Sequence, residues 1–151
     1  MNTKEYKNPI PTVDAIIHRG SEILLIKRKK DPFKNMLALP GGFVNENEKV
    51  EEAIIREIRE ETMLEIRLLN ILGVYSDPSR DPRKHIMSTV FIGEIKGDES
   101  IEAVAADDAS EIVWLSLEFI EDNVFAFDHK KIISDFKKWR QVHGTFWSSK
   151  N

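Results

Sequence analysis

Thr12–His18 and Glu22–Arg28 are dense in β-branched and aliphatic residues, and Arg19-Gly20-Ser21 between them carries turn chemistry. The pattern predicts a β-hairpin near the start of the chain. A short apolar run, Met36–Leu39, stops at Pro40-Gly41-Gly42, where two glycines let the main chain approach a ligand closely. From about Asn47 to Met63 the apolar positions recur at helical spacing, with Asn45 or Asn47 as N-cap. Ile66–Tyr75 and Ile86–Ile95 read as strands on either side of an irregular polar segment, SDPSRDPRKH. Glu111–Leu115 is a shorter strand and Leu117–Glu121 a turn of helix. A last helix is expected over Asp128–His143, capped by Asp128, with Ile132, Ile133, Phe136 and Trp139 on one face and Gly144 as its stop. Strands interleaved with helices predict an α/β fold, a mixed sheet covered by helices on both faces.

The helix over 47–63 is the informative element. At roughly 100° per residue, Glu57, Glu60 and Glu61 fall in one sector, shared with Val50, Ala53 and Ile54. Acidic runs on helices are ordinarily solvated and salt-bridged. Here like charges at i, i+3 and i+4 repel each other on a face marked for burial, and one arginine beside them is too little to offset that. A divalent cation resolves the conflict, and an all-oxygen donor set favours magnesium, or manganese, over zinc. The Pro40-Gly41-Gly42 loop can offer a backbone carbonyl to the same ion.

Composition narrows the field. A chain of 151 residues accommodates one domain with a real core, expected over 1–151. Hydrophobic residues at 41% and charged residues at 32% are ordinary for a soluble globular protein. A formal charge of −4 gives no general reason to expect nucleic-acid binding. The absence of cysteine excludes disulfides, thiol nucleophiles and zinc–thiolate centres. MNTKEYKNPIP lacks the apolar run of a signal peptide and no later stretch is apolar enough to span a bilayer. The expectation is therefore a cytoplasmic protein with no membrane partner.

Gly42, then Glu48 after five residues, then Arg56-Glu57-Ile58-Arg59-Glu60-Glu61-Thr62-Met63-Leu64 after seven more, resembles the signature of the Nudix hydrolases. One defining position departs: Met63 stands where the family carries a glycine that closes the helix with positive φ. Either the helix ends differently, or the backbone accepts strain of order 1 kcal/mol. The resemblance implies a Nudix-type α/β/α sandwich and metal-dependent hydrolysis of a diphosphate linked to another moiety. By the same resemblance Glu57, Glu60 and Glu61 bind the metal, Gly41 adds its carbonyl, and Glu48 and Arg56 form a supporting ion pair. Glu60 or Glu61 is a candidate base for the attacking water. Some members instead use a downstream glutamate, for which Glu99, Glu102 and Glu111 are candidates and Glu111 is favoured.

Substrate choice lies outside the signature. The segment Gly73–His85 with Pro78, and Ala126-Phe127-Asp128-His129, resemble ADP-ribose pyrophosphatases, which implies ADP-ribose as substrate, with AMP and ribose 5-phosphate as products. Arg28, Arg80, Arg83, Lys84 and His85 are candidate contacts to a diphosphate or ribose, and Tyr75 or Phe127 could stack on adenine. His129 is a further candidate contact, although a lone histidine is more often structural. Two alternatives stay open: a house-cleaning pyrophosphatase of nucleoside triphosphates, and a non-catalytic nucleotide-sensing Nudix domain. A homodimer is implied by the resemblance, with Trp139, Phe146 or Trp147 as interface candidates.

Overall fold

The computed structural model describes residues 5–98 and 101–151. The predicted hairpin forms from β1 (Ile10–Arg19) and β2 (Glu22–Arg28), turning at Gly20 with φ 59°. The chain continues through two short strands, β3 (Leu37–Ala38) and β4 (Gly41–Phe43), to helix α1 (Val50–Thr62). Strands β5 (Ile66–Tyr75) and β6 (Ile86–Ile95) follow, then β7 (Ala109–Ser116) and a 3-10 helix (Leu117–Asp122). Helix α2 (His129–Val142) and β8 (Phe146–Trp147) complete the fold.

The sheet is mixed, in the order β3-β2-β1-β6-β5-β8, with β4 added to β1 and β7 to β2. Strand β1 is the pivot. One edge runs parallel to β6 over Ile10–Ile17, while the other pairs with β4 over Thr12–Asp14 and with β2 only at His18–Arg19. The segment after β3 therefore crosses from a wing built on β2 to a wing built on β1, and the sheet opens there.

Alternation along β1 assigns its two faces. Val13, Ala15 and Ile17 pack with Ala53, Ile54 and Ile58 of α1, whereas Ile16 packs with Ile132, Ile133 and Phe136 of α2. The two helices cover opposite faces of one sheet, which is the α/β/α sandwich that the interleaved pattern predicts.

Helix ends depart from expectation. Lys49, and neither Asn45 nor Asn47, occupies the N-cap of α1, and no side chain caps it; Asn47 takes φ 64° in the loop before. At the other end Met63 adopts the left-handed conformation, φ 62°, and its N–H donates to the Arg59 carbonyl. The helix thus closes as a glycine would close it, and the strained option holds. Asp128 sits at the N-cap of α2, but its carboxylate makes no capping bond and pairs with Arg80 instead. Of the aromatic interface candidates, Phe146 is buried in the core and Trp139 stacks between Phe136 and His143, which leaves Trp147 half exposed.

Candidate active site

Where the sheet opens, a cavity is lined by Asp14 of β1, Arg28 at the end of β2, Gly41 and Gly42 of β4, Glu57 and Glu61 of α1, and Arg83, Phe127 and His129 beyond. Its acidic side comes from α1 and β4. Glu61 is only 3% exposed; its Oε1 accepts from the Gly41 N–H at 3.1 Å, and Oε2 is buried with no hydrogen-bond partner among the described residues. Burial raises the Glu61 carboxyl well above its ordinary pKa, and repulsion from Glu57 and Asp14 adds to it. Burial also raises Glu57, against the opposing pull of Arg56. Glycine is required beside them. A Cβ at Gly42 would stand 2.5 Å from the Glu57 carboxylate, and one at Gly41 2.5 Å from Asp14 Oδ1.

Arg56 organises the outer side of this wall. It donates to Glu48 and Glu57 at 2.7 Å each, to Glu60 at 3.2 Å and to the Phe43 carbonyl at 2.9 Å. The Glu48 carboxyl, bonded to Arg56 and to the Asn45 N–H, is held down at about 2. Glu60 differs from its two neighbours: its side chain is 44% exposed, turned to Arg56 and away from the cavity lining. The buried face of α1 centres on Ile54 and Ile58, so Glu57 falls at one margin of the apolar sector and Glu60 beyond it. Among the described residues no three carboxylate or imidazole groups converge into a ready-made metal cage. Glu57 and Glu61 converge, and Arg56 draws Glu60 off.

The opposite side is cationic and aromatic. Arg28 and Arg83 both lie over the Phe127 ring, their guanidinium carbons 4.9 and 5.7 Å from its centroid. Arg28 donates from Nε to the Pro32 carbonyl at 2.7 Å, and Arg83 pairs with Asp81 at 2.8 Å. Burial and the neighbouring Arg83 lower the pKa of Arg28. Arg80 lines the same cavity but is nearly buried, its Nε and one terminal nitrogen committed to Asp128 at 3.0 and 2.8 Å.

Other sequence candidates lie elsewhere. Tyr75 is fully buried under α2 and its hydroxyl donates to Asp135 at 2.8 Å, so it cannot stack on a base. His85 is outside the cavity, with Nε2 2.8 Å from the Ser76 carbonyl. Glu111 is 61% exposed, 3.9 Å from Lys27 on the β2–β7 pair, and also outside it. Strand parity explains this: Glu111 pairs with Lys27, one residue out of step with Ile26 and Arg28, which line the cavity, so its side chain leaves the other face of the sheet. Glu102 is exposed and Glu99 falls outside the described residues. Sequence reasoning missed Asp14 and Asp108, which line the cavity. For Asp14 a signal existed, a lone carboxylate inside the apolar run TVDAII.

A family model for the NUDIX domain matches residues 8–136. The chain belongs to the Nudix family. An ADP-ribose pyrophosphatase of Methanocaldococcus jannaschii is 50% identical over 135 residues, which span 89% of this Nudix chain and 77% of that protein. A putative 8-oxo-dGTP diphosphatase of Bacillus subtilis is 32% identical over 130 residues, covering 83% of this chain and 78% of that one. Among solved structures, a bifunctional NMN adenylyltransferase/ADP ribose pyrophosphatase of Francisella tularensis, complexed with AMP and a manganese ion, aligns with a TM-score of 0.77 at 33% identity. That alignment covers 93% of this chain but only 44% of the bifunctional one. No helix among the described residues is long and apolar enough to cross a membrane.

Proposed function

We propose that this Nudix chain hydrolyses ADP-ribose to AMP and ribose 5-phosphate, with magnesium held by Glu57, Glu61 and the Gly41 carbonyl. The observation that carries this reading is the cavity itself, with an uncompensated carboxylate pair on one side and Arg28, Arg83 and Phe127 on the other. Glu57 and Glu61 fit a cation on their own chemistry. Burial raises both carboxyls, they repel each other, and the buried Glu61 Oε2 has no donor among the described residues. When bound, a divalent ion supplies charge neutralisation and a more acidic water for attack on phosphorus.

The chain's own residues do the rest. Arg56 fixes the Glu57 carboxylate from the outside and ties α1 to the Phe43 carbonyl, so the loop and the helix move as one piece. Glu60, exposed at the rim and bonded to Arg56 at 3.2 Å, would be the further carboxylate available to the cation or to the attacking water as base. Arg28 and Arg83 hold diphosphate oxygens, and the Phe127 ring, shared by both cations, offers its remaining surface to adenine. Arg80 acts through Asp128 by holding the start of α2 against the loop that carries Arg83.

Similarity to the M. jannaschii ADP-ribose pyrophosphatase supports this substrate over a nucleoside triphosphate, the reading that the B. subtilis relative favours. The test is a product assay on ADP-ribose and a panel of nucleoside triphosphates at matched magnesium. Magnesium-dependent AMP release, exceeding turnover of every triphosphate, is the expected result. Faster hydrolysis of a triphosphate overturns the substrate assignment, and binding of ADP-ribose without AMP release favours a sensor. A homodimer belongs to the same proposal; exposed Leu69, Ile71 and Val74 on β5 and Trp147 on β8 supply apolar surface for it, and sedimentation tests it.

A further inference from the structure

The crossing between β3 and β4 leaves a backbone group to be satisfied. Leu39 is buried, lies between the two wings of the sheet, and falls outside the ladder registers of both β3 and β4. A buried N–H without a partner costs about as much as a lost hydrogen bond. The partner here comes from 90 residues away: the Leu39 N–H donates to Nδ1 of His129 at 2.9 Å.

That bond fixes the imidazole. Because an amide can only donate, Nδ1 is the acceptor, and the proton of the neutral ring sits on Nε2. Burial favours the same neutral form by lowering the His129 pKa. Nε2 faces Asp14 Oδ1 at 3.9 Å, an electrostatic approach longer than a hydrogen bond, and Asp14 Oδ2 accepts from the Ser88 hydroxyl at 2.6 Å. The ring itself is carried on the first turn of α2, which Ile132, Ile133 and Phe136 anchor in the core and the Arg80–Asp128 pair clamps at its start.

Two residues beyond Leu39, the Gly41 N–H donates to Glu61 Oε1. The main chain from Leu39 to Gly41 is thus gripped from the α2 side by His129 and from the α1 side by Glu61. The Pro40 carbonyl between them accepts from the Ala15 N–H of β1 at 3.0 Å. Asp14 adds a steric wall, since its Oδ1 occupies space that a Cβ at Gly41 would need.

We propose that His129, backed by Asp14 and Ser88, is a positioning residue: it pins the Leu39–Gly41 main chain from the α2 side and so sets where Gly41 and the Glu61 carboxylate meet the cation and the substrate. It acts through the main chain, its Nδ1 being committed to the Leu39 N–H. This rests on the reading of Glu57, Glu61 and Gly41 as the cation site, and it accounts for a buried histidine that the chemistry otherwise leaves unused.

Two isosteres separate the two nitrogens. The Oδ1 of asparagine can take the place of Nδ1 as acceptor for Leu39, whereas the amide nitrogen of glutamine replaces Nε2 and offers Leu39 nothing. Manganese affinity is read by titration, and kcat and KM on ADP-ribose, for the wild type, His129→Asn and His129→Gln. Supporting shells of metal sites commonly contribute about 10–100-fold, so His129→Gln is expected to lose that much in manganese affinity and kcat. KM is expected to move less than kcat, and His129→Asn to recover most of the loss. Equal impairment of the two variants, or none in either, overturns the proposal. The wild type gives a readout that no folding defect can obscure. A nitrogen–nitrogen coupling across the hydrogen bond from the Leu39 amide to His129 Nδ1 is expected by NMR, and its absence in an assigned spectrum overturns the proposal as well. If the wild type does not hydrolyse ADP-ribose, the substrate assignment fails, while manganese affinities in the order wild type, Asn, Gln still uphold this one.

Discussion

The acidic wall of the cavity is drawn from little more than one turn of α1 and the adjoining β4, while the basic wall collects Arg28 from β2, Arg83 from the loop after β5 and Phe127 from the approach to α2. The two walls also differ in how their charge is compensated. Each arginine of the basic wall already has a partner of its own, a carbonyl for Arg28 and Asp81 for Arg83. The acidic wall is left in deficit: Glu57 has Arg56 only in common with Glu48 and Glu60, Glu61 has no arginine, and Glu61 Oε2 has no hydrogen-bond partner among the described residues. A wall whose donors are already bonded holds its place at lower cost, even with Arg28 partly buried beside Arg83, than one that buries a carboxylate oxygen with no partner.

The largest effect is expected where the deficit lies. Glu61→Gln should lower kcat on the order of 10²–10³-fold, the scale of losing a main electrostatic group from an active site. The same substitution should raise the melting temperature of the metal-free protein, because a neutral amide removes the cost of burying the Glu61 carboxylate and, with it, the repulsion from Glu57. A drop in stability without metal would break the comparison, since it would mean the acidic wall is compensated after all. On the other wall, Arg28→Ala and Arg83→Ala should each raise KM by about 10-fold or more, from the ~1.5–3 kcal/mol of a charge-assisted hydrogen bond. Steady-state kinetics checks this, and manganese affinity should stay near the wild-type value in both variants.

A smaller effect concerns the pair that braces the acidic wall. The Glu48 carboxyl is held at about 2 in the folded chain against an ordinary 4.5. The stabilisation it provides is therefore complete above about 4.5 and fades as pH falls toward 2. Glu48→Gln should be less stable than the wild type at neutral pH, and acid melting curves of the two should converge across that window. The smallest effect is at Met63, which belongs to neither wall. Its side chain is 62% exposed and its φ is 62°, so Met63→Gly should stabilise by about 1 kcal/mol without changing kcat. Denaturant unfolding reads the gain.

The same contrast governs what could be read from the chain. The acidic wall was legible because its residues are contiguous and their spacing carries a physical conflict, like charges on a face marked for burial. Even there, placing Glu60 with its neighbours needed the exact centre of the buried face, which periodicity does not resolve. Strands β1, β2, β5, β6 and β7, both helices and the sandwich followed from alternation and helical spacing, whereas β3, β4 and β8, of two or three residues each, are too short to show a period. The basic wall was legible only as a set of candidates. Arg28, Arg83 and Phe127 meet at the cavity, but nothing local distinguishes them from Tyr75, which the parity of β5 and the packing of α2 turn into the core, or from His85, which closes on the Ser76 carbonyl. The pairing of Leu39 with His129 is invisible at a separation of 90 residues.

The central claim, that the Glu57–Glu61 wall is a cation site, is tested most directly by calorimetric titration of manganese into the wild type and Glu61→Gln. Saturable binding in the wild type that is lost or weakened at least about 10-fold in the variant is the predicted result. Equal affinity in the two proteins would contradict it.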